Sequence, residues 1–469
     1  MKSVAAALAS CLAALALPGA ALAAGYDTPV LYTARHMGMG GTAIGYVNDP
    51  SAIFHNPAGL GAIRGGAVLG NFSPILASIK GSPSDHQVID AAGNKSKPGS
   101  SVWSERAFSP AFLVGAAYNI MDRITFGGSV YPVASAGGRY VYTANKGKEV
   151  VEVTDFTRLV FIEYAPAVAV EVVKGLRVGA AFRYLTAQFQ RQRVNPEEKT
   201  GVPSNIDLDM KGTNTDGFRV GVQYELGDLS LGAVYRNKTD TPVTAATGKL
   251  VNTPGKDISY AFVIPAKFGF GAQYKGIDKL RLALDFEYTQ QSDNVETTLH
   301  GTGLFDSGDP AKPFELPVDV KNISKWQDNY TVRLGGGYML GALEARLGYL
   351  FDGQASQHKY VSAFGTPPAA THSITAGAGY KISDTLDVSF AAAYRTGSTT
   401  VTEADVKGNG CAFCGAAGDY ELQVFGGYLD VCWRFGQAAK SSPAPMPAEP
   451  AAAPAPAVDA APAASPTTP

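Results

Sequence analysis

Leu280-Arg281-Leu282-Ala283-Leu284-Asp285-Phe286-Glu287-Tyr288 puts a large apolar side chain at every second position. Arg281, Ala283, Asp285 and Glu287 take the other face. Side chains alternate across a β-strand with a period of two, so this stretch reads as a strand. The same pattern recurs at Leu176, Val178, Ala180, Phe182 and Tyr184 against Arg177, Gly179, Ala181 and Arg183. It returns over 343–351, where Glu344 and Arg346 are the polar members, and over 386–394, where Asp387 and Ser389 are. The chain is therefore expected to be all-β.

Alternation alone does not say which face meets water. A soluble sandwich buries the apolar face and solvates the charges; a transmembrane barrel does the geometric opposite. Three features favour the barrel. The segments run about nine to eleven residues, the length of a tilted strand across a bilayer. Aromatics close many of them (Tyr184, Tyr288, Tyr349, Phe351, Tyr394, Trp433, Phe435), as interfacial girdles require. Very short connections such as Lys174-Gly175 and Gly227-Asp228 alternate with long polar ones such as 190–216 and 291–328, which is the outer-membrane arrangement of short periplasmic turns and long external loops. Composition agrees: only 17% of the 469 residues are charged, against about 25% in soluble proteins. About fourteen strands can be placed, an even number as bacterial barrels need. The first is the weakest, because Pro74 falls inside it.

Residues 1–23 read as an export signal, with Lys2 as the charged start, an apolar run over 4–17 and Ala21-Leu22-Ala23 as the cleavage site. The box Leu8-Ala9-Ser10-Cys11 resembles a lipoprotein cleavage site, but the apolar run before Cys11 is very short. The next segment, 24–65, is not strand-like. Gly38, Gly40 and Gly41 allow close backbone approach, while Asp49-Pro50 and Asn56-Pro57 each offer a helix cap followed by proline at the first helical position. Two short helical turns of this kind cannot fold alone and need a container. The barrel is assigned to 66–435, and the Ala/Pro/Ser-rich stretch 436–469 is expected to be a disordered tail.

A net charge of −2 and no basic run argue against a nucleic-acid partner. Gly38-Met39-Gly40-Gly41 lacks the preceding strand and the lysine of a phosphate loop, and no Gly-x-Ser-x-Gly element suggests a lipase. The six histidines show no metal spacing, so neither metal nor cofactor is expected, and an enzyme is the least favoured class. Cys411-Ala-Phe-Cys414 has no second pair to complete a zinc site; a local disulfide is favoured over a redox motif, leaving Cys432 free and buried. Arg177, Arg183, Arg281, Arg333, Arg346, Arg395 and Arg434 fall on the lumen face by alternation, and most are expected to pair with acids such as Asp285, Glu287, Asp387 and Asp430.

Several stretches stand out together: Ala34-Arg35, Gly38-Met39-Gly40-Gly41, Asp49-Pro50-Ser51-Ala52 and Asn56-Pro57-Ala58-Gly59-Leu60, then Trp326-Gln327-Asp328, Arg333-Leu334-Gly335, Arg346-Leu347-Gly348-Tyr349 and Ala376-Gly377-Ala378-Gly379-Tyr380. With these the chain resembles the FadL-type outer-membrane transporters of long-chain fatty acids and other hydrophobic compounds. The resemblance implies a bacterial outer-membrane barrel of fourteen strands whose lumen is closed by an N-terminal hatch. It implies that Asn56, Pro57 and Ala58 lie against a kink in the third strand, here within Gly127-Gly128 to Pro132-Val133, where ligand leaves sideways into the membrane. Val133-Ala134 stands where the family often has Phe-Gly. On this resemblance the expected function is passive uptake of hydrophobic molecules, long-chain fatty acids foremost, with aromatic hydrocarbons also suited, by a monomer surrounded by outer-membrane lipid. Arg333 is the candidate polar anchor for the ligand because it sits in a motif segment. The rival readings are a general porin and a structural envelope protein with a periplasmic tail.

Overall fold

The computed structural model describes residues 33–86, 92–93, 100–146, 149–194, 205–250, 252–309, 311–363, 365–411 and 414–436. The signal segment and the tail beyond Gly436 lie outside the described residues. Fourteen strands form a closed antiparallel barrel. They are β1 (Gly66–Gly81), β2 (Ala107–Asn119), β3 (Ile124–Lys146), β4 (Glu149–Val173), β5 (Leu176–Val194), β6 (Ile206–Leu226), β7 (Leu229–Arg236), β8 (Lys267–Ile277), β9 (Leu280–Thr289), β10 (Asn329–Leu340), β11 (Leu343–Asp352), β12 (Thr371–Lys381), β13 (Leu386–Val401) and β14 (Gly418–Phe435). Each pairs with the next in chain order, and β14 closes on β1, with Gly66 opposite Phe435.

The faces are those of a barrel and not of a sandwich. On β9, Leu284 is 48% and Phe286 41% exposed, while Asp285 between them is 0% exposed. Apolar side chains point outward and charged ones inward, the reverse of a water-soluble sheet. The inward arginines are paired: Arg183 with Glu163 at 2.7 Å, Arg346 with Glu344 at 2.7 Å, Arg395 with Asp352 at 2.8 Å and Arg434 with Asp387.

Two readings of the sequence are refined here. Pro74 falls inside β1 and interrupts only one of its two ladders. It sits opposite Pro110 on β2, and only the β14 side of the ladder skips Ser73 and Pro74. A proline is tolerated where the neighbouring strand asks for no N–H from it. The long polar connections are also not plain loops. β5 and β6 extend past the apolar band to Val194 and from Ile206. Hairpins Thr239–Leu250 with Thr253–Ile264 and Glu296–Phe305 with Phe314–Ile323 continue the wall beyond it. Their inner face carries buried apolar side chains such as Leu208, Val243, Leu250 and Ile258.

Residues 33–63 run through the barrel interior as one turn of helix, α1 (Ala34–Met37), a second, α2 (Ala52–His55), and a 3₁₀ turn at Pro57–Ala62. Asn56 caps the 3₁₀ turn by accepting from the Ala58 N–H at 3.2 Å, with Pro57 in the first position. At several points the wall beneath this segment is bare of side chains. A Cβ on Gly348 would overlap the backbone of Gly40, and one on Gly232 would overlap Ile44. Gly40 itself has φ +68°, a conformation that favours glycine.

Gly348→Val should therefore expel the inner segment while leaving the barrel closed, at a cost of about 1–3 kcal/mol or more for an overpacked contact. Protease cleavage within 33–65 should rise, and heat-modifiable mobility of the barrel on gels should be retained. Gly128→Ala, whose Cβ would meet nothing within 4 Å, should change neither.

Candidate functional site: the filled lumen and the break in its wall

The β2–β3 ladder stops early. It runs from Asn119 opposite Thr125 to Val114 opposite Val130 and goes no further. Above that point β2 stays paired with β1 up to Ala107, and β3 stays paired with β4 up to Lys146. Residues 107–113 and 131–138 thus face each other across an unzipped seam. It closes again where the Glu105 N–H donates to the Arg139 carbonyl at 2.7 Å. The cause is local. Pro132 pairs with Ile162 and Ala134 with Phe161, so Val133 is an extra residue that bends β3 away from β2. Pro110 and Pro132, one on each lip, have no N–H to offer.

The inner segment is held in the lumen by hydrogen bonds to inward side chains around the ring. Asp285 accepts from the Ala43 and Ile44 N–H groups at 2.8 and 3.0 Å, and Asp430 accepts from the Arg35 N–H at 2.9 Å. The Asn56 amide donates to the carbonyls of Ile44 at 2.9 Å and Val222 at 3.0 Å. At the foot of the seam a buried network joins three parts of the molecule. Arg219 donates to the Ile53 carbonyl of α2 at 2.7 Å, to the Tyr131 hydroxyl of β3 at 3.0 Å and to Glu163 of β4 at 3.3 Å. Tyr131 also donates to Glu163, and its ring meets Phe54 edge-on at 5.2 Å. Any shift of α2 is thereby felt where β3 leaves β2.

Within the inner segment, Arg35 pairs with Asp49 at 3.1 Å, and the His36 and His55 rings meet at a tilt with centroids 4.8 Å apart. Burial pushes His36 down to about 4, only partly opposed by Asp49. Burial also pushes His55 well down, with His36 beside it. Both rings are thus neutral at pH 7.

Above the inner segment lies a cavity of about 360 Å³ between the extended outer parts of the strands. Leu159, Phe189, Leu208, Leu250, Phe262, Leu299 and Val320 supply apolar lining. Tyr260, Tyr360, Trp326, Asn294, Arg191 and Arg193 supply polar groups. Arg191 is paired with Asp155, and Arg193 with Asp85. Ala136 and Gly137, on the unzipped lip of β3, line the same cavity, so cavity and seam share a wall.

The sequence-derived residues fall as follows. Gly38 packs against Gly377 and Arg346, and Gly40 against β10 and β11, as close-approach positions; Gly41 takes φ +82°. Asn56, Pro57 and Ala58 lie over Gly221 and Gly179 of β6 and β5. Pro50 sits next to Gly115 of β2, and Ile53 next to Gly127 of β3. The Asn56 amide is committed to the β6 carbonyl of Val222, which fixes the turn on that side. Gly127 and Gly128 remain in register with both neighbours, so the irregularity begins at Pro132. Arg333 is not in the cavity. It is 2% exposed and bound to Glu287 at 2.5 Å beneath the inner segment, because alternation gives a residue's face but not its height in the lumen. Cys411 and Cys414 are joined in a disulfide, and Cys414 lines the cavity rim; among the described residues Cys432 is free and buried.

The family described as "Outer membrane protein transport protein (OMPP1/FadL/TodX)" matches residues 14–423. The chain belongs to this family. Its members are outer-membrane transport channels, and the barrel described above is accordingly an outer-membrane protein. Solved structures agree on the fold. A Pseudomonas aeruginosa FadL homologue is 18% identical, with 88% of this chain and 100% of that one covered and a TM-score of 0.64. The Pseudomonas putida toluene transporter TodX is 15% identical over 89% and 100%, with a TM-score of 0.63. The Ralstonia pickettii toluene transporter TbuX is 18% identical over 86% and 98%, with a TM-score of 0.58. No curated protein sequence matches the chain at a significant level.

Two outcomes are expected. Asn56→Ala strips buried carbonyls of their donor and should weaken the seating of the inner segment by about 1–3 kcal/mol, read as faster amide exchange over 43–58 with barrel exchange unchanged. A histidine whose pKa is lowered on folding costs nothing above its ordinary value of 6.5, and its penalty grows as pH falls from there to about 4. Protease protection of 33–65 should therefore be full above pH 6.5 and decline between 6.5 and 4. His36→Gln should flatten that decline.

Proposed function

We propose that this chain is a passive, monomeric channel that takes up hydrophobic small molecules from outside the cell and releases them sideways into the outer membrane. The observation that carries this reading is the shared wall of cavity and seam at Ala136 and Gly137. A ligand in the cavity is one strand-width from the bilayer, with no ladder to cross. Residues 24–65 act as the hatch and 66–435 as the barrel. The hatch keeps the lumen from becoming a water-filled pore, so Gly38, Gly40, Gly41, Asn56, Pro57 and Ala58 are gate residues by virtue of seating it. Pro132, with Val133 beside it, forms the exit kink.

Long-chain fatty acids are the first ligand class, since a mainly apolar cavity carries two guanidiniums, Arg191 and Arg193, at its margin. Aromatic hydrocarbons are the second. Phe189, Tyr260 and Phe262 form a three-ring cluster with centroids 4.8–6.0 Å apart in the cavity wall, and two of the relatives are called toluene transporters.

The test deletes Val133, which removes the bulge and lets β3 run straight. The variant should assemble a heat-modifiable barrel and still quench Trp326 fluorescence when ligand enters the cavity. Uptake of labelled oleate or toluene into cells should drop to the level of cells lacking the protein. Undiminished uptake would point to release through the periplasmic end instead. Purified wild-type protein in planar bilayers should carry no large steady ion current; such a current would favour a general porin.

A further inference from the structure

The end of the barrel opposite the cavity carries a second, polar cleft of about 570 Å³. This end has the short turns and the junction of Gly65 with Gly436, which places it on the periplasmic side. The β2–β3 turn brings Arg123 to the cleft, the β4–β5 turn brings Lys174, β5 brings Arg177, and the end of the inner segment brings Arg64. Glu171 and Glu225 are the acids in its lining, so four cations face two carboxylates.

The pairing inside the cleft is uneven. Arg64 is bound to Glu171, and Arg177 holds Glu225 with both terminal nitrogens at 3.2 and 3.0 Å. Both carboxylates are thereby used. Arg123 and Lys174 have no carboxylate partner among the described residues and stand exposed at the rim. Arg177 is a built element and not a surface cation. Its side chain is 8% exposed, its stem lies against Gly61, and its Nε has no hydrogen-bond partner, with Glu171 no nearer than 4.0 Å. An orphaned guanidinium N–H, two spare cations and a concave surface together ask for an anion with several acceptor oxygens.

We propose that this cleft binds a phosphate group. Its setting favours a phospholipid of the periplasmic leaflet as the carrier. Met121, Val172, Val173 and Leu226 around the rim are 69, 46, 54 and 45% exposed, an apolar collar at the level where acyl chains begin. A lipid phosphate seated there would tie three turns and the root of the inner segment together, on the side of the barrel that includes β3.

Full-length protein in detergent is titrated with phosphatidylglycerol, and separately with inorganic phosphate, with bound species counted by native mass spectrometry. The comparison is Arg123→Ala/Lys174→Ala, whose side chains make no contact that the fold needs. Wild type should retain a phosphatidylglycerol adduct, and the double variant should weaken it roughly thirtyfold, as two cations near an anionic headgroup imply. Saturation by inorganic phosphate with no stronger lipid adduct would keep the phosphate site and overturn the lipid source. Equal lipid retention by wild type and variant, with no phosphate bound to either, would overturn the proposal. Uptake of hydrophobic ligands is a separate readout, so failure here leaves the transport reading untouched, and the reverse also holds.

Discussion

The structure depends on backbone meeting backbone inside the barrel. A fourteen-strand barrel has a lumen too wide to be filled by its own side chains and would conduct water if left open. This chain fills it with residues 33–63, and that is possible only where the wall has been planed flat. Gly348 under Gly40, Gly232 under Ile44, and Gly179 under Pro57 each leave no room for a Cβ. The abundance of glycine, 53 residues, is partly the cost of that fit, since glycine in a strand weakens it. The barrel tolerates the loss because its ladders are closed and have no free edge.

Close approach brings a second constraint. The inner segment satisfies many of its N–H groups within its own short turns, and others take partners from the wall. Asp285, Asp430, Thr375, Gln223 and Arg219 supply them across the ring. Few of these are ion pairs between segment and wall; they are single hydrogen bonds from many directions. Each is worth about 0.5–1.5 kcal/mol net, more where one member is charged. A contact built from many modest bonds can be released in parts, which a single deep salt bridge cannot. Arg219 is the exception in position, since it links α2, Tyr131 of β3 and Glu163.

Much of this was legible in the residues. Period-two alternation marked the wall strands at 176–184, 280–288, 343–351 and 386–394, because a barrel in lipid must keep one face apolar throughout. Asn56-Pro57 announced a capped turn, and Gly38 to Gly41 a close approach. What alternation could not supply was height: Arg333 and Arg191 both face inward, yet one lies under the inner segment and the other in the cavity. The kink was half legible. Pro132 marked it, whereas Gly127 answers to Ile53 packing against it and Gly128 has open space beside it. Asp285 and Asp430 looked like partners for arginines. They serve backbone N–H groups instead, a choice that depends on what the barrel encloses and leaves no trace in strand periodicity.

The seam between β2 and β3 raises a question of cost. An unpaired backbone group in hydrocarbon costs several kcal/mol, and a gap spanning residues 107–113 and 131–138 would expose many. The chain lowers that cost in three ways. Prolines 110 and 132 remove one donor from each lip. The bulge at Val133 rolls the next part of β3 inward, so that Tyr131, Pro132, Val133 and Ala134 are all buried and their groups face the lumen and not lipid. Finally, Glu105 rejoins the lips at Arg139, which limits the opening to a window. A wall break that was merely a packing fault would need none of these. The two prolines, the single extra residue and the resealed upper edge act together to keep one short stretch of ladder open in a closed barrel.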